Sequence, residues 1–514
     1  MYSLSFCAAV RGIEGCIIQV EADISDGLPC FSLVGFLSSE VKEARERVQI
    51  GMKNAGFRFP PKKVTINLSP ADIRKGGTGY DLAIAVAVLT AFGYISQEFI
   101  SNMVFIGELS LEGTIREVHG ILPMVYTAYE NKMEYCVVPR GNLQEAKVVR
   151  GIKSIGVSDL RELVQMLQEQ RLTETDVPAV ENARQTAQAD FCDVNGQKLV
   201  RRAIEVSVAG MHNLLMVGPP GSGKTMLAKR IPGIMPELTF EEQMEISKVY
   251  SVAGLLSQKN PFISERPFRM PHHTITQKAL IGGGILPKPG EISLASGGVL
   301  FLDELPEFQR QTIEVLRQPL EDGYVTVSRM DGTYCYPAKV QLVAAMNPCR
   351  CGFFPDKRRC SCTGSQIRNY LHKISQPMLE RMDICVETIP LEYKDFHVSG
   401  KCSENESSAA IRKRVAMVQE IQNKRYQNEA FFHNSELPPS LLEKYCQMTQ
   451  DAAQYLENAF KNLEFSARVY HKVLKVGRTI ADLEGEDKIR KKHITEAVCY
   501  RMADKKYWGS EVEF

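Results

Sequence analysis

Eight consecutive residues, Gly218-Pro219-Pro220-Gly221-Ser222-Gly223-Lys224-Thr225, set a lysine and a hydroxyl directly behind a turn rich in glycine and proline. This G-x-x-x-x-G-K-[ST] order suits one chemistry. Main-chain N–H groups of the turn wrap the oxygens of a nucleoside triphosphate, the lysine ammonium reaches the β- and γ-phosphates, and the threonine hydroxyl holds Mg²⁺. Downstream, Gly298-Val299-Leu300-Phe301-Leu302 ends in Asp303-Glu304. Asp303 is placed to hold Mg²⁺ through water, and Glu304 to orient and polarise the attacking water. An Asp-Glu pair after a strand is by itself more often a helix N-cap; the P-loop upstream selects the catalytic reading. A third apolar run, Val340 to Met346, ends at Asn347-Pro348, where the amide can bond the lytic water or γ-phosphate, or simply begin a turn. Arg381 closes the short helical turn Pro377-Met378-Leu379-Glu380. A lone arginine is usually a solvated one. Its position after the third strand fits instead a finger reaching a neighbouring subunit's γ-phosphate, a contact worth about 10³-fold or more in rate.

Three further clusters bear on chemistry. Cys349, Cys351, Cys360 and Cys362 are spaced C-x-C-x8-C-x-C; four thiolates suit tetrahedral Zn²⁺, although C-x-C is tighter than the common C-x₂₋₄-C. Between the pairs lies a basic tip, Asp356-Lys357-Arg358-Arg359. Tyr324 to Tyr336 reads as a β-hairpin turning at Asp331-Gly332, with Arg329 and Met330 near its tip to grip a phosphate backbone, or an ordinary hairpin with a solvated arginine. His272-His273 receives no ligand role, and Lys488-Ile489-Arg490-Lys491-Lys492 either contacts DNA or faces water.

The elements that must position these groups follow from pattern. Leu214-Leu215-Met216-Val217 fits a buried parallel strand ahead of the P-loop, and Met226 to Ile231 opens a helix behind it. Residues 1–165 mix β-like runs (Cys16 to Val20, Lys63 to Leu68) with helical patterns (Glu40 to Lys53, Leu82 to Phe92) and read as an α/β or α+β domain. Residues 166–190 turn polar and read as a linker; 191–395 form a second α/β region and 396–514 a helical one, with Pro438-Pro439 between two helical stretches. At 514 residues, several cores are required. With 44% hydrophobic and 24% charged residues the chain is globular, and a net charge of +1 means that any nucleic-acid binding must come from local patches. No run of 18 uncharged apolar residues and no charged leader at Met1 are present, so a cytoplasmic location without membrane is expected, with the remaining cysteines reduced.

Taken together, Arg266-Pro267-Phe268-Arg269-Met270-Pro271-His272-His273-Thr274, Gly282-Gly283-Gly284 through Pro289-Gly290-Glu291-Ile292-Ser293-Leu294-Ala295, and Phe301-Leu302-Asp303-Glu304-Leu305-Pro306-Glu307-Phe308 resemble the YifB/ComM family of magnesium-chelatase-like AAA+ ATPases. The resemblance covers essentially the whole chain. It implies a Lon-protease-like N-terminal domain, an AAA+ core, a helical lid, ATP and Mg²⁺ as ligands, and a hexameric ring. It also implies ATP-driven movement of DNA branch points during natural transformation. On the family pattern Asn347 looks like the first sensor, Arg381 like the arginine finger, and Arg468, in Phe465-Ser466-Ala467-Arg468, like the second sensor. Ser296 stands where relatives often have His, and Arg350 where Pro is usual. Thr65 to Lys75 resembles the Lon-like domain, yet the following turn, Gly76-Gly77-Thr78-Gly79-Tyr80-Asp81, lacks the nucleophilic serine, so a scaffold or DNA-contacting role is expected. The alternatives are a chelatase-type subunit and a protein-remodelling ATPase.

Overall fold

Alternating apolar residues make Tyr2–Arg11 (β1) and Glu14–Ser25 (β2) a long antiparallel hairpin, paired from Tyr2 opposite Asp23 to Arg11 opposite Glu14. The computed structural model describes residues 1–172, 189–284, 287–329, 332–390 and 405–509. Most of the expected linker, Met330 and Asp331 at the hairpin tip, and the expected 395/396 boundary lie outside the described residues. Around the first hairpin stand β3 (Cys30–Val34), β4 (Lys63–Ser69), β5 (Met103–Phe105), β8 (Tyr135–Pro139) and β9 (Lys153–Val157) in the order β3-β4-β2-β1-β5-β8-β9. A small ribbon, β6 (Glu108–Leu109) with β7 (Ile115–Arg116), stands apart from that sheet. Helix α1 (Ser39–Asn54) is half-buried, whereas α2 (Asp81–Ala91) is apolar all round and buried along its length, as a helix without a polar face must be. Its one carboxylate, Asp81, is compensated by Arg47 Nε at 2.7 Å and Nη2 at 3.0 Å and by the Leu109 N–H at 3.2 Å.

The second sheet is parallel throughout, in the order β11-β14-β17-β10-β18: β10 (Leu214–Val217), β11 (Phe268–Arg269), β14 (Val299–Leu302), β17 (Gln341–Met346) and β18 (Ile384–Glu387). Central strands of a sheet covered on both faces need unbroken apolar runs, which is why β10, β14 and β17 were legible as such and the two-residue β11 was not. Two ribbons project from this unit. β12 (Gly282–Gly283) pairs with β13 (Lys288–Pro289), and β15 (Tyr324–Arg329) with β16 (Gly332–Pro337). They are tied together by Arg329 Nε to Gly284 O at 3.0 Å and Tyr336 Oη to Pro287 O at 2.7 Å. The helix behind the P-loop is shorter than expected: it runs Lys224–Ala228, and the chain tightens to a 3₁₀ turn at Ile231–Ile234 because Pro232 supplies no N–H.

The C-terminal region is helical, as expected, and includes Ser408–Arg425, Gln450–Asn462, Ala467–Leu483, Lys491–Cys499 and Met502–Trp508. A buried polar network joins it to the parallel-sheet unit: His212 Nε2 lies 2.8 Å from Thr479 Oγ1, Asn434 donates to Thr479 at 3.0 Å and Asp482 at 2.9 Å, and Arg425 bonds Asp482 at 2.7 and 2.5 Å. Arg490 pairs with Glu486 at 2.6 Å and Lys492 with Glu484, so the basic stretch 488–492 is partly neutralised within its own region. The N-terminal sheet docks through helix Phe240–Ala253: Ser251 accepts from Gly120 N at 3.1 Å and donates to Glu145 at 2.5 Å, while Lys248 reaches Glu14 at 3.3 Å. Among the described residues all cysteines are free, and no helix is long and apolar enough to cross a membrane.

Candidate active site

The register of the parallel sheet decides where the chemistry-bearing residues emerge. Val217, at the end of β10, pairs with Met346 on one side and Glu387 on the other. Gly218, Asn347 and Thr388 therefore leave the sheet close together at its carboxyl edge, the edge where open α/β sheets bind ligands. A Cβ at Gly218 would lie 1.9 Å from Thr388 Oγ1, so only glycine fits. Thr388 N donates to Val217 O at 2.8 Å, and the Thr388 hydroxyl lies 2.7 Å from Ser222 Oγ, clamping the turn. Gly221 has φ +77°, and a Cβ there would meet nothing within 4 Å. Its left-handed backbone thus faces open space, as a cradle of main-chain N–H groups for an anion must.

Lys224 is buried behind this turn. Its Nζ donates to Gly218 O at 2.7 Å, Pro219 O at 2.9 Å and Asn347 Oδ1 at 3.2 Å. Burial pulls its pKa down to about 8 against the opposing attraction of Asp303 and Glu304. Thr225 Oγ1 donates to Asp303 Oδ2 at 2.6 Å, and Asp303 Oδ1 accepts from Glu304 N at 2.9 Å. A hydroxyl and a carboxylate meeting here are oxygen donors of the kind that could hold an octahedral Mg²⁺. Glu304 adopts the left-handed conformation, φ +53° and ψ +46°, which costs a non-glycine residue about 1 kcal/mol and is typical of functional strain. Its carboxylate is 59% exposed and lies 3.8 Å from His273 Nδ1.

Sequence reading gave His273 no role. It arrives because β11, a strand of only two residues, pairs with the acidic strand through Phe268 opposite Val299 and Arg269 opposite Leu300, so the segment after β11 ends beside residues 303–304. Thr388 was missed as well; the only signal was its place after a fourth apolar run.

The two arginines are placed differently. Arg381 Nη1 donates to Pro377 O at 2.7 Å and Nε to Arg317 O at 3.3 Å, and Nη2 pairs with Glu321. Arg468, 67% exposed, donates from Nη1 to Glu380 Oε2 at 2.5 Å. Burial and the charges of Arg317 and Arg468 lower the Arg381 pKa, while Glu321 opposes. Among the described residues neither arginine bonds residues 218–225, and the pairing through Glu380 brings Arg468 beside Arg381. Lys224, Thr225, Asp303, Glu304 and Asn347 thus form one cluster, and Arg381 and Arg468 another.

The four cysteines begin two residues past Asn347. Cys349 Sγ lies 3.4 Å from Cys351 Sγ and 3.7 Å from Cys360 Sγ, Cys351 and Cys360 are 3.5 Å apart, and all four sulfurs fall within 4.8 Å of one another. Tetrahedral Zn–S bonds of about 2.3 Å put sulfurs about 3.8 Å apart, so the set fits zinc. This knuckle leans on the P-loop: a Cβ at Gly352 would lie 2.5 Å from Pro220 Cδ. Its basic tip is exposed, with the Arg359 guanidinium 4.1 Å over the Phe353 ring.

Three sequence families match the chain. Subunit ChlI of Mg-chelatase matches residues 20–142, magnesium chelatase subunit ChlI residues 190–396, and the magnesium chelatase subunit ChlI C-terminal family residues 405–501. The chain is 39% identical over 505 residues to competence protein ComM of Haemophilus influenzae, covering 97% of each. It is 40% identical over 497 residues to YifB of Salmonella typhimurium, covering 97% of this chain and 96% of that one. YifB of Escherichia coli is 39% identical over 503 residues, 98% of this chain and 97% of the other. With the families succeeding one another along the sequence and such relatives aligned almost end to end, the chain belongs to the YifB/ComM family of magnesium-chelatase-like AAA+ proteins.

Proposed function

We propose that the protein is an ATP-hydrolysing hexameric ring motor acting on DNA, a branch-migration helicase of the ComM kind serving natural transformation and recombination in the cytoplasm. The observation that carries the ATPase reading is the joining of Lys224 to Asn347 at 3.2 Å and of Thr225 to Asp303 at 2.6 Å, beside Glu304. Main-chain N–H groups of residues 218–225 cup the triphosphate, and Lys224 exchanges its carbonyl partners for β- and γ-phosphate oxygens. Thr225 and Asp303 hold Mg²⁺. Glu304 orients and polarises the attacking water, steadied by His273, while Asn347 senses the γ-phosphate from the tip of β17. Arg381 and Arg468 leave their own P-loop unbonded and lie beside each other, which supports both being offered to the γ-phosphate of the adjoining subunit.

Cys349, Cys351, Cys360 and Cys362 hold Zn²⁺ as a structural knuckle that stiffens the strand end carrying Asn347 and presents Lys357 and Arg358 to phosphates. The N-terminal domain is Lon-protease-like without a nucleophilic serine, hence a scaffold or a DNA-contacting module rather than a protease. DNA, branched or single-stranded, is the partner this reading favours, since the near-full-length relatives are of the ComM and YifB kind. The chelatase family names favour a second reading, a subunit that drives metal insertion and ignores DNA.

Five tests follow from this reading. Lys224 must carry its proton to meet phosphates, and in the free protein it titrates at about 8. Above that pH, ATP binding should take up a proton and weaken by about tenfold per pH unit. Calorimetry in buffers of different ionisation enthalpy reads this directly, and pH-independent affinity would refute it. Purified protein should contain about one zinc per chain, lost in Cys360→Ser; metal-free protein of unchanged melting temperature would exclude the knuckle. Glu304→Gln should bind ATP and assemble yet lose turnover about 10²-fold. Arg381→Ala should lose about 10³-fold, and mixing these two variants should restore activity at interfaces pairing an intact Glu304 with an intact Arg381. Wild-type ATPase should rise with forked or single-stranded DNA, and a flat response would leave the chelatase reading.

A further inference from the structure

The turn of the first hairpin, Arg11 to Glu14, does not end in solvent; it lies on the β15–β16 ribbon. Ile13 packs with the apolar cluster that contains Val325, Val327 and Tyr336. Gly12 backs onto Cys335 so closely that a Cβ would lie 3.1 Å from the Cys335 carbonyl oxygen. The Arg11 guanidinium passes over Gly332, where a Cβ would lie 2.7 Å from Nη2 and 3.5 Å from Cζ. Gly332 pairs in register with Arg329, so two guanidinium groups from different domains flank the same end of one ribbon.

Neither group is neutralised among the described residues. Glu14, opposite Arg11 in the β1–β2 register, is drawn instead to Lys248 at 3.3 Å. The Arg11 side chain is exposed and has no hydrogen bond or ion pair among the described residues. Arg329 is exposed and donates only to neutral carbonyls, Gly284 O at 3.0 Å and Ser328 O at 3.3 Å. Lacking a carboxylate does not by itself set them apart, since Arg58, Arg116, Arg150 and Arg310 are also exposed without an ion pair among the described residues; what does is that two segments far apart in the chain bring them to one end of one ribbon. Two planar, permanently charged groups without a carboxylate partner among the described residues, brought to the same end of one ribbon, suit an anion with several oxygens. Their setting on an exposed ribbon fits a chain of anions passing by better than a small enclosed one.

We propose that Arg11 and Arg329 together grip the phosphodiester backbone of DNA, so that the N-terminal domain supplies part of the DNA-contacting surface of the ribbon. The inference rests on the DNA-motor reading and assigns it a site. Phosphate contacts position the strand without reading sequence, which suits a motor that must pass any sequence.

The test is fluorescence anisotropy of the full chain with a non-hydrolysable ATP analogue, using labelled single-stranded and forked duplex DNA of mixed sequence across a salt series. Arg11→Gln keeps the aliphatic stem over Gly332 and removes the charge. It should weaken binding and flatten the plot of log affinity against log salt by about 0.7 on single strands and about 0.9 on duplex. Arg329→Gln should do the same, Arg11→Lys should retain most of the slope, and DNA-free ATPase should be unchanged in Arg11→Gln. Wild-type binding with an unaltered slope in Arg11→Gln overturns this proposal while leaving the DNA reading intact. Absence of wild-type binding to either DNA overturns both.

Discussion

A lysine ammonium held out of water by neutral oxygens is the constraint around which the rest is arranged. Lys224 has two carbonyls and an amide oxygen within 2.7 to 3.2 Å and no carboxylate bonded to it. Burying a cation whose bonded partners are all neutral is unfavourable, only partly offset by the attraction of Asp303 and Glu304, and the depressed pKa records it. The site is thereby prepared for an anion: polyphosphate restores the missing charge and satisfies the turn's main-chain N–H groups in the same event. The parallel sheet exists to hold this situation in place, because the Val217–Met346 and Val217–Glu387 pairs fix how far Asn347 and Thr388 project beside the turn.

The elements around that cation are packed, through short chains of contacts, against the helical region and the N-terminal sheet. The knuckle that starts at Cys349 leans on Pro220, and its Phe354 ring lies 6.2 Å from Tyr507 in the last described helix. Trp508 of the same helix donates to Leu371 O at 3.2 Å. From the other side, helix Phe240–Ala253 is gripped by the N-terminal sheet through Ser251 and Glu145, where burial raises the Glu145 pKa. A change of shape at the nucleotide turn therefore has short, packed routes to the helical region and to the N-terminal sheet, one of them through Gly352 lying against the Pro220 ring.

What could be read in the sequence was what depends on near neighbours. The P-loop, the acidic strand and the strand ending at Asn347 announce themselves because their function needs residues consecutive in the chain. The ribbon at 324–337 did so through alternation, and α2 through an unbroken apolar run. What escaped depends on pairs far apart in the chain. His273 meets Glu304 only because a two-residue strand slots beside β14. Arg468 meets Glu380 across 88 residues, and Arg11 crosses Gly332 only once two domains have docked. The basic stretch at 488–492 was ambiguous for the same reason: whether it is free or paired depends on Glu484 and Glu486, whose orientation is set by the turn between two helices.

The strength of each ion pair separates the arginines that hold the fold from those available for exchange. Arg425 and Arg478 both bond Asp482, which is 1% exposed, as is Arg478; removing one partner of such a buried pair costs about 3–5 kcal/mol. Arg381 and Arg468 are tied instead to Glu321, 61% exposed, and Glu380, each tether having one side chain well into solvent. Pairs of that kind are worth about 0–1 kcal/mol. A triphosphate offered by a neighbouring subunit presents more charge and more acceptor oxygens than either carboxylate, so under the ring reading the exchange runs toward the nucleotide. On that reading the same weak tethers keep both guanidinium groups close to where they are needed while the subunit is alone, which reduces the ordering entropy that remains for assembly. The carboxylates beside Arg381 and Arg468 would then be placeholders for the phosphate, and the buried pairs in the helical region would keep the scaffold fixed while they are displaced.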